Sequence, residues 1–286
     1  MNTHPEIIAA NYCISFVDIL GQRDEYKGEG FLPQSKNEIE FFLNKIKKTI
    51  NPIYTLQKDS SKYWERALSY KGTLKNTLSE AQQKQYDQIR EIKVNQQRWS
   101  DGMVFFVALN QENVKCPITG VFYILGVVGG LCFVGLSRKH PIRGSLDISW
   151  GVELHPGELY GAAVANAYEI ESKVAQYPRI VIGERVVDYL NSCLQNPGTD
   201  IFSEFNRGVA KKCLDMIITD FDGNYIIDYL GQSFKERFKD KYEKLFELAF
   251  RYINEQLEYW RKKKNTKLLM RYNHLLSYFE FKKTVT

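Results

Sequence analysis

The period of apolar and polar positions changes several times along the chain, and each change marks an element. Residues 13–21, C-I-S-F-V-D-I-L-G, form a short run of aromatic and β-branched residues, interrupted by one carboxylate, Asp18, and stopped by Gly21. That pattern predicts a buried strand. Residues 22–31 are polar and glycine-containing and predict a loop. Over 35–54 the period becomes helical, with Ile39, Phe42, Leu43, Ile46 and Ile50 on one stripe and Ser35 and Glu38 spaced as a capping box. Two more polar helical stretches are expected at about 62–70 and 79–92. Next comes Arg98-Trp99-Ser100-Asp101-Gly102, in which Ser-Asp-Gly signals a turn and residues 103–109 form the returning strand of a hairpin.

Residues 114–136 are the most apolar segment. The stretch 121–136 has no charge but includes Gly126, Gly129, Gly130 and Gly135, and it falls short of the roughly 20 residues that span a bilayer. A helix buried against a sheet is the expectation. Residues 141–151 alternate as a strand with Arg143 at its entrance, and 159–161 lead into a helix over 162–174 rich in small residues. A strand at 178–183, a helix over 184–194 and a hairpin over 217–228 follow. From about Gln232 the composition turns charged and aromatic with helical period, predicting a helical tail that packs on the domain or on a partner subunit. No internal repeat or low-complexity linker is present. The fold class expected is α+β, its strands separated by helices.

Composition narrows the class without naming a function. The 286 residues are 44% hydrophobic and 26% charged, ordinary for a globular chain with ample core. The net charge of +5 is spread among interspersed acidic and basic residues. Such an excess suits a polyanionic substrate without demanding nucleic acid. Five cysteines (Cys13, Cys116, Cys132, Cys193, Cys213) form no C-x-x-C pair. They read as buried free thiols of a reducing compartment rather than a zinc site or a disulfide frame. The N-terminal M-N-T-H-P-E lacks the order of a signal peptide. A cytoplasmic protein, with no membrane segment and no nucleic-acid partner, is expected.

Two carboxylates change this picture. A carboxylate inside a buried strand is costly unless paired, hydrogen-bonded or on a metal. Asp18 is such a group, and Asp101 sits at the expected hairpin tip. Neighbouring strands lie about 4.8 Å apart, so a strand-end and a hairpin-tip aspartate can share divalent cations.

Five segments in order, F-V-D-I-L-G, R-W-S-D-G, P-I-R-G-S-L, L-Y-G-A-A-V-A-N-A-Y-E-I-E-S and P-R-I-V-I-G, resemble the class III nucleotidyl cyclase fold. Among its members they look most like the bacterial pyrimidine-specific cyclases of Pycsar antiphage defence. The resemblance covers residues 11–231, and the tail segment T-K-L-L-M-R-Y-N-H-L-L-S-Y-F resembles that branch's C-terminal helix. It implies a ferredoxin-like βαββαβ core in a catalytic domain over 1–231, with a helical layer inserted at about 35–92 and a helical extension over 232–286. It also implies a homodimer with the substrate between subunits, two Mn²⁺ or Mg²⁺ ions per site, and conversion of UTP or CTP to the 3′,5′-cyclic nucleotide. The product would be a second messenger read by a separate effector.

Carried onto this chain, the family's metal-binding aspartates match Asp18 and Asp101, and the assisting carbonyl matches that of Ile19. Arg143 matches a triphosphate-binding arginine, and Arg179 falls where the family places another triphosphate-binding cation. Asn166 lies one position from the ribose-orienting asparagine. Glu169 occupies the place of the transition-state arginine and cannot do its work, so either another cation, Arg98 or Arg143, supplies that charge or the helix register differs from the family's. Base-reading positions hold Gln97 or Arg98 and Glu158 in place of the lysine and aspartate of adenylate-forming members. Glutamine can donate and accept, so it can read uracil or cytosine.

Each residue also has a plainer reading. Asp18 alone would be a loop cap, Arg143 a surface ion pair worth little, Arg179 an exposed arginine after proline, and Asn166 a helix-packing polar group. Asp220-Phe221-Asp222-Gly223 is expected as a hairpin turn, because it lacks the closing glutamate of a calcium loop. The basic run at 261–264 reads as a solvated helix face, and the four histidines show no ligand spacing. The competing functions are a cyclase-like module that binds a nucleotide or a partner without turnover, and a purine cyclase with unusual base contacts.

Overall fold

A computed structural model describes residues 9–21, 32–69, 79–90, 92–99, 102–110 and 114–284. Its elements are β1 (Ala9–Ile19), α1 (Lys36–Ser69), α2 (Glu80–Arg90), β2 (Asn95–Trp99), β3 (Gly102–Ala108), α3 (Ile118–Ser137), β4 (Ile142–His155), β5 (Glu158–Tyr160) and α4 (Ala162–Glu169). A π-helical turn, Ile170–Val174, continues α4. Then come β6 (Ile180–Ile182), α5 (Glu184–Leu194), α6 (Ile201–Leu214), β7 (Ile217–Thr219), β8 (Tyr225–Ile227), α7 (Gln232–Phe238), α8 (Tyr242–Lys262) and α9 (Thr266–Thr284). The protein is α+β with one mixed sheet in the order β2-β3-β1-β4-β6-β8-β7, and β5 pairs with β4. The pairs β2–β3, β3–β1 and β1–β4 are antiparallel, and β4–β6 is parallel.

The pleat of β1 sorts its residues into two cores. Cys13, Val17 and Ile19 join Met103, Phe105 and Val107 under α3. Tyr12, Ile14 and Phe16 face the other way with Val104, Phe106, Ala163 and Ala167, covered by α4. Helix α3 is the one described helix long and apolar enough to cross a membrane, and 72% of its most apolar window is buried inside the fold. That is a core helix, as its uncharged run predicts. The tail is continuous with this core: Phe234, Tyr242, Ala249, Ile253, Leu275 and Phe279 belong to the same cluster as α3. Asp228 anchors it, accepting from Tyr278 Oη at 2.7 Å and from Lys282 Nζ at 2.5 Å. The five cysteines are free thiols.

Several boundaries differ from expectation. The stretch at 62–70 is not a separate helix, because α1 runs through Pro52 to Ser69. Pro52, Thr55 and Asp59 pack on Leu131, Val134 and Gly135 of α3, and Arg138 bonds Asp59. This packing outweighs the hydrogen bond that an internal proline removes. Capping boxes open both α1 and α2: Ser35 Oγ donates to Glu38 Oε2 at 2.7 Å, and Ser79 N donates to Gln82 Oε1 at 3.0 Å. The loop expected at 22–31 lies outside the described residues. Helix α6, which the periodicity reading passed over, is capped by Asp200, whose carboxylate accepts from the backbone N–H groups of Phe202 and Ser203.

Candidate active site at the paired ends of β1 and β4

In the β1–β4 register Asp18 stands opposite Arg143 and Ile19 opposite Ile142. On the other side of β1, Asp18 pairs with Gly102, which in turn pairs with Trp99 across the β2–β3 hairpin. Directly opposed residues have Cα atoms about 5 Å apart, so the sheet brings Asp18 against the residue that follows Asp101. Asp101 and Ser100 themselves lie outside the described residues. Period-two alternation sends Asp18 and Arg143 to the face covered by α4 and sends the Ile19 side chain into the α3 core, at 2% exposure. Gly144 permits this close pairing: a Cβ there would lie 2.5 Å from the Phe16 carbonyl oxygen.

Arg143 lies between two carboxylates. Its Nε is 2.5 Å from Glu171 Oε1, and its Nη2 is 3.7 Å from Asp18 Oδ2. Glu171 is 2% exposed and was not singled out by sequence reasoning. Its signal is the stripe Ala163, Ala167, Glu171, spaced by four, which puts a carboxylate on the buried side of α4 and its π turn. Ser145 fixes the helix to β4 by donating to the Ala167 carbonyl at 2.6 Å, while its own carbonyl accepts from Ser15 Oγ at 2.7 Å.

Other expected site residues lie elsewhere in the chain. Gln97 is half-buried two rows from Asp18, on the line Gln97–Val104–Phe16–Ser145, and Arg98 is exposed. Asn166 donates to Ser149 Oγ at 3.4 Å, farther along β4 than Arg143, while the next residue, Ala167, is held at Ser145. Glu158 is exposed and pairs with His155, roughly 40 Å from Arg143 by the same rise. Glu169 is exposed and bonded to Lys173 at 2.5 Å. That hydrogen bond, then the lysine's charge, holds its carboxyl below the usual range.

Arg179 departs most from expectation. It is 2% exposed. Its Nη1 donates to Asp220 Oδ2 at 2.5 Å and to Asp222 Oδ1 at 3.0 Å. Its Nη2 donates to Asp222 Oδ2 at 2.6 Å and to the Val174 carbonyl at 2.9 Å. The guanidinium lies 4.5 Å from the Tyr177 ring centroid, and Tyr177 Oη donates to Asp220. Burial would raise the Asp222 carboxyl, but the bonds from Arg179 and Asn224 outweigh it and hold it at about 2. The turn is the expected hairpin, closed by Gly223 at φ +83° and by Asp220 N donating to the Asn224 carbonyl. Its carboxylates hold Arg179, so that guanidinium is committed to the turn rather than turned toward the β1–β4 strand ends. Only the Arg179 backbone reaches β4, through its carbonyl bonded to Gly144 N at 2.9 Å.

Among the described residues no cluster of three or more His, Cys, Asp or Glu converges on a metal position. The donors available at the strand ends are hard oxygens, the Asp18 carboxylate and the Ile19 carbonyl, which with Asp101 suit Mg²⁺ or Mn²⁺. No protein-family model matches the chain, and no curated protein matches it.

Proposed function

We propose that the protein is a metal-dependent pyrimidine nucleotide cyclase that converts UTP or CTP to the 3′,5′-cyclic monophosphate and pyrophosphate. The observation that carries this reading is the placement of Asp18 at the end of β1, opposite Gly102 on one side and Arg143 on the other. The antiparallel order β2-β3-β1-β4, with helices after β1 and after β3, supports a ferredoxin-like βαββαβ core as the cyclase scaffold. The ordered motifs of the sequence agree with it.

In this reading Asp18, Asp101 and the Ile19 carbonyl hold two divalent ions. When bound, these would lower the pKa of the ribose 3′-hydroxyl and stabilise charge on the attacking and leaving oxygens. Arg143 supplies a cation for the phosphate oxygens, and Glu171 fixes the direction of its fork. Most of the remaining catalysis is positioning. Glu158 lies roughly 40 Å from Arg143 within one chain, by strand rise, and Asn166 is turned to Ser149, so one chain cannot offer both Glu158 and Arg143 to one nucleotide. A homodimer in which the second copy presents its far end to the first copy's Asp18 resolves this separation. The product would serve as a messenger in antiphage defence, read by a separate effector, in the cytoplasm.

The test compares cyclic product from wild type with that from Asp18→Ala and Asp101→Ala. Either substitution is expected to lower turnover at least about a hundredfold while the protein stays folded. Full activity in either variant would remove the metal assignment. Glu169 paired to Lys173 and Arg179 tied to its turn favour the second reading, a nucleotide-binding module without turnover. Nucleotide binding with no product from wild type would support that reading.

A further inference from the structure

With Arg179 committed to Asp220 and Asp222, the proposed site calls for a second polyphosphate cation beside Arg143 among the described residues. The helical tail offers one. Arg271 of α9 is half-buried, and its Nη2 donates to Gln176 Oε1. Gln176 is fixed in turn, since its Nε2 donates to the Lys173 carbonyl at 2.6 Å and its backbone N–H to the Val174 carbonyl at 2.8 Å. It therefore closes the π turn that carries Glu171, the partner of Arg143. Burial first, and the positive charge of Arg143 second, hold the Arg271 guanidinium below the usual arginine range.

The fold thus places both guanidiniums against one short segment, Arg143 against Glu171 and Arg271 against Gln176. The carboxylates Asp18 and Glu171 both face Arg143, whereas Arg271 is given a neutral amide oxygen. Like charges brought together in a partly desolvated place are unfavourable until an anion arrives. Arginine forks match phosphate oxygens in shape as well as charge. If Asp18 is drawn to metal, Arg143 loses one counter-charge as the triphosphate is seated. We propose that Arg271 is a polyphosphate-binding residue of this site, acting beside Arg143 from the C-terminal helix. The inference rests on reading the strand ends as a nucleoside triphosphate site, and its ligand chemistry is a chain of phosphate oxygens.

The experiment uses the full chain and has two arms. Calorimetry measures binding of inorganic tripolyphosphate, and steady-state kinetics measures KM and kcat for the preferred nucleotide with Mn²⁺. Arg271→Ala is expected to weaken tripolyphosphate binding and raise KM roughly 10- to 100-fold, and Arg271→Lys is expected to recover part of both. Gln176→Ala, which keeps the cation and removes its orienting acceptor, should raise KM only a few-fold and guards against an Arg271→Ala protein that fails to fold. Wild-type product together with unchanged KM and tripolyphosphate affinity in folded Arg271→Ala would overturn the Arg271 assignment and leave the cyclase reading standing. Lost tripolyphosphate binding in Arg271→Ala, with no cyclic product from wild type, would uphold the anion site and reject the cyclase reading. A wild-type protein that fails to bind tripolyphosphate overturns the proposal outright.

Discussion

Removing the guanidinium of Arg179 separates two accounts of that residue. If it serves substrate, Arg179→Ala changes KM and leaves stability alone. The structure gives it four hydrogen bonds to Asp220, Asp222 and the Val174 carbonyl, at 2% exposure, with Tyr177 beneath it. Alanine would leave the Asp220 carboxylate, whose side chain is 8% exposed, without its cation. It would also leave the Val174 carbonyl without that donor. Breaking a buried pair from one side costs about 3–5 kcal/mol, chiefly the penalty of the stranded charge. At a urea dependence of roughly 2–3 kcal/mol/M, the unfolding midpoint should fall by about 1–2.5 M at neutral pH. The assay is equilibrium urea unfolding followed by far-UV circular dichroism, with tryptophan fluorescence as a second probe for coincidence of transitions. Arg179→Lys should recover only part of the loss, because a point charge cannot reach both carboxylates with a fork. An Arg179→Ala protein that unfolds at the wild-type midpoint would refute the clamp.

Two further predictions concern the Asp222 carboxylate and a pair of glycines. Asp222 is held at about 2 in the folded protein against an ordinary 3.8. Its contribution to stability is therefore fully present above pH 4 and lost as pH falls toward 2, so the stability gap between wild type and Arg179→Ala should narrow across that window. A gap that stays constant from pH 5 to pH 2 would contradict this. Gly144→Ala puts a Cβ 2.5 Å from the Phe16 carbonyl oxygen and 2.9 Å from Val17 Cγ1. Because a paired backbone cannot yield as a side chain can, the cost should reach or exceed about 3 kcal/mol. Gly208→Ala, with nothing within 4 Å in helix α6, should instead stabilise by about 0.5–1 kcal/mol. Equal melting shifts in the two variants would sink the argument.

Elements with a strong local period were legible in the sequence, and contacts between distant residues were not. The alternation of β4, the uncharged run of α3 and the bounds of α5 could be read because a buried face imposes its own spacing. That Asp18 and Arg143 stand at strand ends was legible, but that their two strands pair and set them opposite each other was not. Helix α6 was missed although Phe202, Phe205, Val209 and Cys213 keep helical spacing behind Asp200, because its exposed side dilutes the run. Arg179 meets Asp220 across 41 residues and Arg271 meets Gln176 across 95. No local pattern encodes such pairs, and a lone arginine after proline looks the same whether it faces solvent or a buried turn. Glu171 falls between these cases, since its stripe was visible but its cation came from β4, a separate element.

The most direct test of the central reading is to incubate the purified protein separately with ATP, GTP, CTP and UTP in the presence of Mn²⁺ and identify the products by mass. The account predicts a 3′,5′-cyclic pyrimidine monophosphate together with pyrophosphate. A cyclic purine would contradict the base assignment. No cyclic product from any of the four, from folded dimeric protein, would contradict the assignment of Asp18, Asp101 and Arg143 to cyclase chemistry.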